Sequence, residues 1–126
     1  MADLSGLRVA VIATDGVEEV ELTEPVRALK EAGAQVEILS LREGQFRAVR
    51  HGDNSITIKA DGTVAFAEPS EYEALVLPGG ALNADRLRMV PEVKSFVQEM
   101  QRAGKPVAAI CHAPWVLVSA GLFRGR

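Results

Sequence analysis

The residue best suited to chemistry is Cys111, the only cysteine of the chain, which directly follows the apolar run over residues 106–110. If that run is a buried strand, the thiol lies on a sharp turn, close to the first N–H groups of the next helix. Those N–H groups and the helix dipole favour the thiolate, the nucleophilic form of cysteine. A lone cysteine is more often a small buried hydrophobe, but the position at a strand end beside His112 favours a catalytic role.

His112 and the pair Gly79–Gly80 are candidates to assist this thiolate. His112 either acts as a general base through its imidazole or supplies only its backbone N–H. Gly80 follows the apolar run over residues 74–77, and its N–H, with that of His112, is suited to stabilise an oxyanion on an attacked carbonyl. Two glycines also allow close approach of the backbone, although such pairs are equally common in ordinary turns.

A carboxylate is available where the apolar run over residues 7–14 gives way to an acidic segment. Glu18 in that segment can hold a proton near the sulfur and tune the pKa of the thiol. The alternative is that Glu18 and Glu19 only stabilise a helix N-terminus, which favours carboxylates. The residues alone do not distinguish Glu18 from Glu19 as the functional group. His51, in a polar stretch, is interpreted as a surface histidine.

The apolar runs predict the elements that position these residues. Their continuous apolarity indicates strands that are covered on both faces, as in a parallel sheet. Helical spacing predicts helices that end near Gly33 and Gly104, with Pro25 near the first turn of the regular part of the earlier helix. Strands are predicted over residues 7–14, 36–41, 46–50, 56–59, 64–67, 74–77 and 107–110, and the later helices over 91–104 and 115–120.

This order of elements predicts an α/β fold with a mostly parallel sheet. The turn-rich stretch over residues 42–63 is interpreted as a small antiparallel excursion at the edge of that sheet. Ligands of open parallel sheets bind at the carboxyl ends of the strands. If the strands concerned are neighbours, Glu18, Gly80 and Cys111 meet there.

The composition is that of one folded domain, with 126 residues of which 48% are hydrophobic. A net charge of -3 and an aromatic content of 5% argue against nucleic-acid binding. One cysteine and two histidines exclude a disulfide framework and a cysteine-rich zinc site, and no nucleotide-binding glycine motif is present. No cofactor is therefore expected. Without a signal peptide or a run of about 18 apolar residues, a cytoplasmic protein with no membrane partner is expected.

Three motifs in order, over residues 13–22, 75–80 and 109–115, resemble those of the ThiJ/PfpI superfamily, and the PfpI-type branch most of all. The resemblance covers nearly the whole chain. It implies a flavodoxin-like three-layer sandwich, similar to class I glutamine amidotransferase domains, as a single domain over residues 1–126. Members of the superfamily continue beyond the Arg-Gly-Arg at residues 124–126, so the C-terminal part of the family domain is expected to be absent here.

The same resemblance implies roles for individual residues. It makes Cys111 the nucleophile and selects Glu18 as the carboxylate that hydrogen-bonds the sulfur. It pairs His112 with the cysteine, and it assigns the third member of a triad to Asp85 of a neighbouring subunit. A homodimer or a higher homo-oligomer is therefore expected.

The resemblance also implies the activity. We expect a stress-related, cysteine-dependent hydrolase of the deglycase or glyoxalase type, whose partner is a small carbonyl compound or a glycated protein or peptide. The alternatives are an intracellular cysteine peptidase, and a redox sensor or stress chaperone that uses the same cysteine. An ammonia-producing glutaminase is disfavoured because no histidine and glutamate follow His112 in the sequence.

Overall fold

The structure, a computed structural model, describes residues 4–110. These residues form the predicted α/β architecture around a mostly parallel sheet. The strands are β1 (Arg8–Ile12), β2 (Val17–Glu18), β3 (Gln35–Ser40), β4 (Gln45–Arg50), β5 (Asp53–Lys59), β6 (Gly62–Thr63), β7 (Ala74–Leu77) and β8 (Val107–Ala109). The α-helices are α1 (Glu19–Glu31), α2 (Ala81–Leu87) and α3 (Pro91–Arg102).

The main sheet has the strand order β6-β3-β1-β7-β8, and each neighbouring pair is parallel. β1 is central, and it is followed on one side by β7 and then by β8. The three strands that the sequence placed before the candidate residues are therefore adjacent, as the proposed meeting of those residues requires. Their carboxyl ends lie at one edge of the sheet because the strands are parallel.

Both faces of β1 are buried, which explains its continuous apolarity. Val9 and Val11 face a cluster that includes Leu22 and Val26 of α1. The alternate residues of β1 face a second cluster, which includes buried side chains of α2 and α3. This alternation is the two-residue period of a strand, and it gives the three layers of helix, sheet and helix.

The antiparallel pairing of the hairpin was predicted correctly, but its position in the fold was not. β4 and β5 pair antiparallel, as expected, but they join β2 in a separate three-stranded sheet rather than extending the edge of the main one. Phe46 and Ala48 of β4 pack into the same cluster as the valines of β1. The hairpin therefore covers one face of the main sheet, and this burial determines its position.

Three local predictions were wrong. Residues 64–67, predicted to be extended, form a 3-10 turn at Val64–Phe66, because Val64 alone packs into the core while Phe66 is exposed. Pro25 lies in the second turn of α1 and not near its start, because α1 already begins at Glu19. The residues after Gly80, where no helix was predicted, form α2.

The predicted helix over residues 91–104 is confirmed as α3. Pro91 occupies its first position, where the missing N–H costs nothing. Val93, Phe96 and Met100 form its buried face. Among residues 4–110 no helix is long and apolar enough to cross a membrane.

Candidate active site

Two turns approach closely at the carboxyl edge of the main sheet. One follows β1 and contains Gly16, and the other follows β7 and contains Gly79 and Gly80. The Glu18 N–H donates a hydrogen bond to the Gly79 carbonyl oxygen at 3.1 Å. The backbones of the two turns are thus in direct contact, as the glycine content of both segments indicates.

Gly80 is required at this contact for two reasons. Its φ of 110° lies in a region that favours glycine. A Cβ atom there would overlap the Gly16 carbonyl oxygen and lie 2.7 Å from the Glu18 nitrogen. The glycine pair is therefore more than an ordinary turn signal.

Glu18 lies at a cavity of about 450 Å3 that Gly80 also lines. A Glu18 carboxylate oxygen, Oε2, accepts a hydrogen bond from the backbone N–H of His51 at 3.0 Å. His51 has a φ of 53°, unusual for a residue with a side chain, and it lines the same cavity. Its exposure agrees with the prediction of a surface histidine, but its place beside Glu18 was not anticipated.

The carboxylates of Glu18 and Glu19 have different surroundings in the structure. Both carboxylate oxygens of Glu19 accept hydrogen bonds from Arg50 Nη2 of β4, at 3.1 Å each. Glu19 does not line the 450 Å3 cavity, whereas Glu18 does. Of the two carboxylates that the residues alone left equivalent, Glu18 is the one available to a ligand in this cavity.

Asp15 fixes the turn after β1 to the hairpin. Its Oδ1 accepts a hydrogen bond from the Arg47 N–H at 2.7 Å, and the Gly16 N–H donates to the Arg47 carbonyl oxygen at 2.9 Å. The Arg47 N–H and the nearby Arg42 guanidinium lower the pKa of Asp15, although partial burial opposes them. The second sheet thereby holds the turn that carries Glu18.

Asn83 is a buried polar residue of α2 that sequence reasoning missed. Its side chain is fully buried and bonds both turns, through Thr14 on one side and Pro78 and Gly79 on the other. A signal was present, since Asn83 precedes the apolar Leu87 by four residues and therefore shares its buried helix face.

Asp85, also on α2, is exposed and forms an ion pair with Arg88 at 3.2 Å. Its part in a triad that spans two subunits stays a prediction.

Cys111 and His112 lie outside the described residues. The last described residue, Ile110, donates its N–H to the Leu77 carbonyl oxygen at 2.8 Å, which continues the pairing of β8 with β7. Within residues 4–110 no group of three histidine, cysteine, aspartate or glutamate side chains is arranged to hold a metal ion.

A second cavity, of about 640 Å3, lies among α2, α3 and the ends of β7 and β8. Its described lining is mostly apolar and includes no carboxylate, although Arg88 and Lys94 reach it. Glu18 and His51 line only the smaller cavity, whereas Gly80 lines both.

Comparison with known proteins identifies the family to which this arrangement belongs. The model of the DJ-1/PfpI family matches residues 7–126. The chain belongs to the DJ-1/PfpI family. A deglycase of Pyrococcus abyssi is 39% identical over 120 residues, a match that covers 95% of this chain and 69% of that protein. Deglycase PfpI of Pyrococcus furiosus is 38% identical, with the same two coverages.

A solved structure supports the family fold. The DJ-1/ThiJ/PfpI-like and ferritin-like two-domain protein of Anabaena variabilis matches with a TM-score of 0.76 and 38% identity. That match covers 95% of this chain and 34% of the larger one. The chain thus spans about two thirds of the length of the two archaeal relatives and a third of this two-domain protein.

Proposed function

We propose that this member of the DJ-1/PfpI family is a cysteine-dependent hydrolase of reactive carbonyls or glycated groups, with Cys111 as its nucleophile. The observation that carries the proposal is the meeting of Glu18 and Gly80 at one cavity. Gly80 follows β7, the strand that pairs with β8, and Cys111 comes soon after β8 in the sequence. Cys111 is the residue that directly follows Ile110 in the sequence. The relatives named deglycases support this class of substrate.

The proposed reaction begins with attack of the Cys111 thiolate on an aldehyde carbon. A carbon–sulfur bond forms, the carbonyl electron pair moves to oxygen, and the oxyanion accepts hydrogen bonds from the N–H groups of Gly80 and His112. Protonation of that oxygen gives a hemithioacetal. For a 2-oxoaldehyde, transfer of hydrogen to the neighbouring carbon gives a thioester, and one water releases a 2-hydroxy acid and the free thiol.

Glu18 and His112 are the proposed proton carriers. Glu18 lies at the cavity and hydrogen-bonds the sulfur or the reacting oxygen in this proposal, while the His112 imidazole serves as base. Asp85 of a neighbouring copy would orient His112, which makes the active form a homodimer or a larger homo-oligomer. A cavity of about 450 Å3 suits a small aldehyde or one glycated side chain better than a folded protein.

The test compares the wild-type protein with Cys111→Ala on methylglyoxal, on a glycated peptide and on the same peptide without glycation. We expect the wild type to form lactate and to restore the free amine, and the variant to do neither. Equal turnover by the variant rejects a cysteine mechanism. Cleavage of the unmodified peptide that depends on Cys111, without lactate formation, would identify a peptidase instead. Absence of all three activities in a protein that oxidises selectively at Cys111 would favour the redox sensor.

A matched pair of variants tests the carboxylate. Glu18→Gln keeps the size of the side chain and removes its acid–base capacity, so we expect kcat/KM to fall about 100-fold or more. Glu19→Gln makes the same change one residue away, on a carboxylate that Arg50 binds outside the cavity, and we expect a change of less than about twofold. The reverse order of effects would show that the wrong carboxylate has been assigned.

A further inference from the structure

Asn83 is an uncharged polar side chain in a fully buried position of α2. Burial of an amide is unfavourable unless its hydrogen-bonding groups find partners. The Asn83 Oδ1 accepts from the Thr14 N–H at 2.7 Å. Its Nδ2 donates to the Pro78 carbonyl oxygen at 3.0 Å and lies 3.5 Å from that of Gly79. The Thr14 N–H can only donate, and the two carbonyl oxygens can only accept. The network therefore fixes the orientation of the amide.

These bonds join the two turns that form the candidate active site. Thr14 follows β1, at the centre of the main sheet, and Pro78–Gly79 follows β7. The Asn83 side chain therefore fixes the position of the glycine turn relative to β1, the central strand of the main sheet. Leucine of similar volume in its place would leave the Thr14 N–H and the Pro78 carbonyl without this partner.

The Gly79 carbonyl oxygen is held by two donors, the Asn83 Nδ2 and the Glu18 N–H at 3.1 Å. A trans peptide is planar, and its C=O and N–H bonds point in opposite directions. Holding the Gly79 carbonyl therefore aims the Gly80 N–H away from both donors. Within residues 4–110 no hydrogen-bond acceptor is found for that N–H, which leaves it available to a ligand.

We propose that Asn83 is a positioning residue that locks the Gly79–Gly80 peptide so that the Gly80 N–H is presented to the reacting carbonyl oxygen. This inference rests on the proposed function, because it concerns the oxyanion donor of that reaction. Asn83 itself contacts no substrate. It acts through the orientation of one peptide plane, with the φ of 110° at Gly80 and the Glu18 N–H as the other constraints.

The decisive variant is Asn83→Asp, which keeps the shape and the acceptor for the Thr14 N–H but replaces the donor by a second oxygen. That oxygen repels the two carbonyl oxygens that the amide held. We expect kcat to fall about 10- to 100-fold with KM within about threefold, because the lost interaction serves the transition state. Rates are referred to the folded fraction of each variant, measured by its unfolding curve at the assay temperature, so partial unfolding does not contribute.

The control is Leu87→Ala, which destabilises the same helix through a buried apolar side chain and leaves the Gly79 carbonyl untouched. We expect it to lower thermal stability and to keep kcat within about twofold. Asn83→Ser, which adds no charge and cannot span both turns, replaces the aspartate variant if that protein does not fold. An unchanged kcat in the folded Asn83 variant, or a loss no larger than that of the leucine control, overturns the inference.

A second measurement does not depend on turnover. The Gly80 amide resonance in an amide-correlated NMR spectrum is expected to move in the Asn83 variant and to stay within the linewidth in the leucine control. If Cys111→Ala retains activity, the proposed function fails, whatever the spectrum shows. If Cys111→Ala is inactive but the Gly80 resonance and kcat of the Asn83 variant match the wild type, the positioning role alone is rejected.

Discussion

Gly80 shows how one residue links backbone conformation to chemistry. Its positive φ turns the chain from β7 into α2, and its lack of a Cβ lets the turn contact Gly16 and Glu18. The same residue lines the cavity that Glu18 lines. The sequence indicated this position, because two glycines after an apolar run allow close approach of the backbone.

Gly80→Ala is expected to lower the free energy of unfolding by about 3 kcal/mol or more, from the strained φ and the overlap with the Gly16 oxygen together. Gly104→Ala is the matched control, since Gly104 also has a positive φ, of 73°, but an added Cβ meets nothing within 4 Å. Gly104→Ala is expected to lower the free energy of unfolding by only about 1–2 kcal/mol. Chemical denaturation measures both, and equal losses would mean that the contact at Gly80 contributes little.

At the scale of elements, α1 contains a conflict between sequence and structure. Pro25 lacks the N–H that an interior helical position donates, and its ring crowds the preceding turn. The helix nevertheless forms because Leu22 and Val26, on either side of the proline, pack against the main sheet. Tertiary burial thus outweighs the local preference of one residue.

Pro25→Ala is expected to raise the free energy of unfolding by about 1–2 kcal/mol, because the restored N–H and relieved crowding exceed the added freedom of the unfolded chain. Pro91→Ala is the control at the first position of α3, where no helical hydrogen bond is regained. It is expected to lower the same free energy by up to about 1 kcal/mol. Thermal and urea unfolding decide the matter, and a destabilising Pro25→Ala would refute this account of the helix.

Elements with strong local signals were predictable, and those defined by tertiary contacts were not. The apolar runs of β1 and β7 and the periodicity of α3 sufficed to place Gly80 and Glu18 at one edge of a parallel sheet. The separate sheet of the hairpin was missed, because the short β2 has no strand signal and pairs with β4 only in the folded chain. The resemblance selected Glu18 over Glu19, but the different surroundings of the two carboxylates depend on Arg50, a residue 31 positions away from Glu19.

At the scale of the whole molecule, hydrogen bonds of Asp15 connect the turn after β1 of the main sheet to the second sheet. The Arg47 N–H and the Arg42 guanidinium lower the pKa of Asp15 below its ordinary value of 3.8. Since the folded pKa lies below the unfolded one, the carboxylate stabilises the fold at neutral pH. That contribution is lost as the pH falls from about 4 through the folded pKa.

Asp15→Asn keeps the acceptor for the Arg47 N–H and removes the charge. We expect it to lower the free energy of unfolding by about 1 kcal/mol at pH 7. The difference from the wild type should shrink as the pH falls below about 4 through the folded pKa, where the aspartate becomes protonated. Glu43→Gln, at an exposed position before β4, is the control with no expected difference. A deficit of Asp15→Asn that persists unchanged in acid would exclude the charge as its cause.

The proposed function requires Cys111 to be an activated thiol. Because it is the only cysteine, its rate of alkylation by iodoacetamide as a function of pH reports on one group. We expect the thiol pKa to lie well below the free value of about 8.5 in the folded protein, and to return to that value after unfolding. A pKa at or above about 8.5 in the folded protein, or a thiol that reacts only after unfolding, would contradict it.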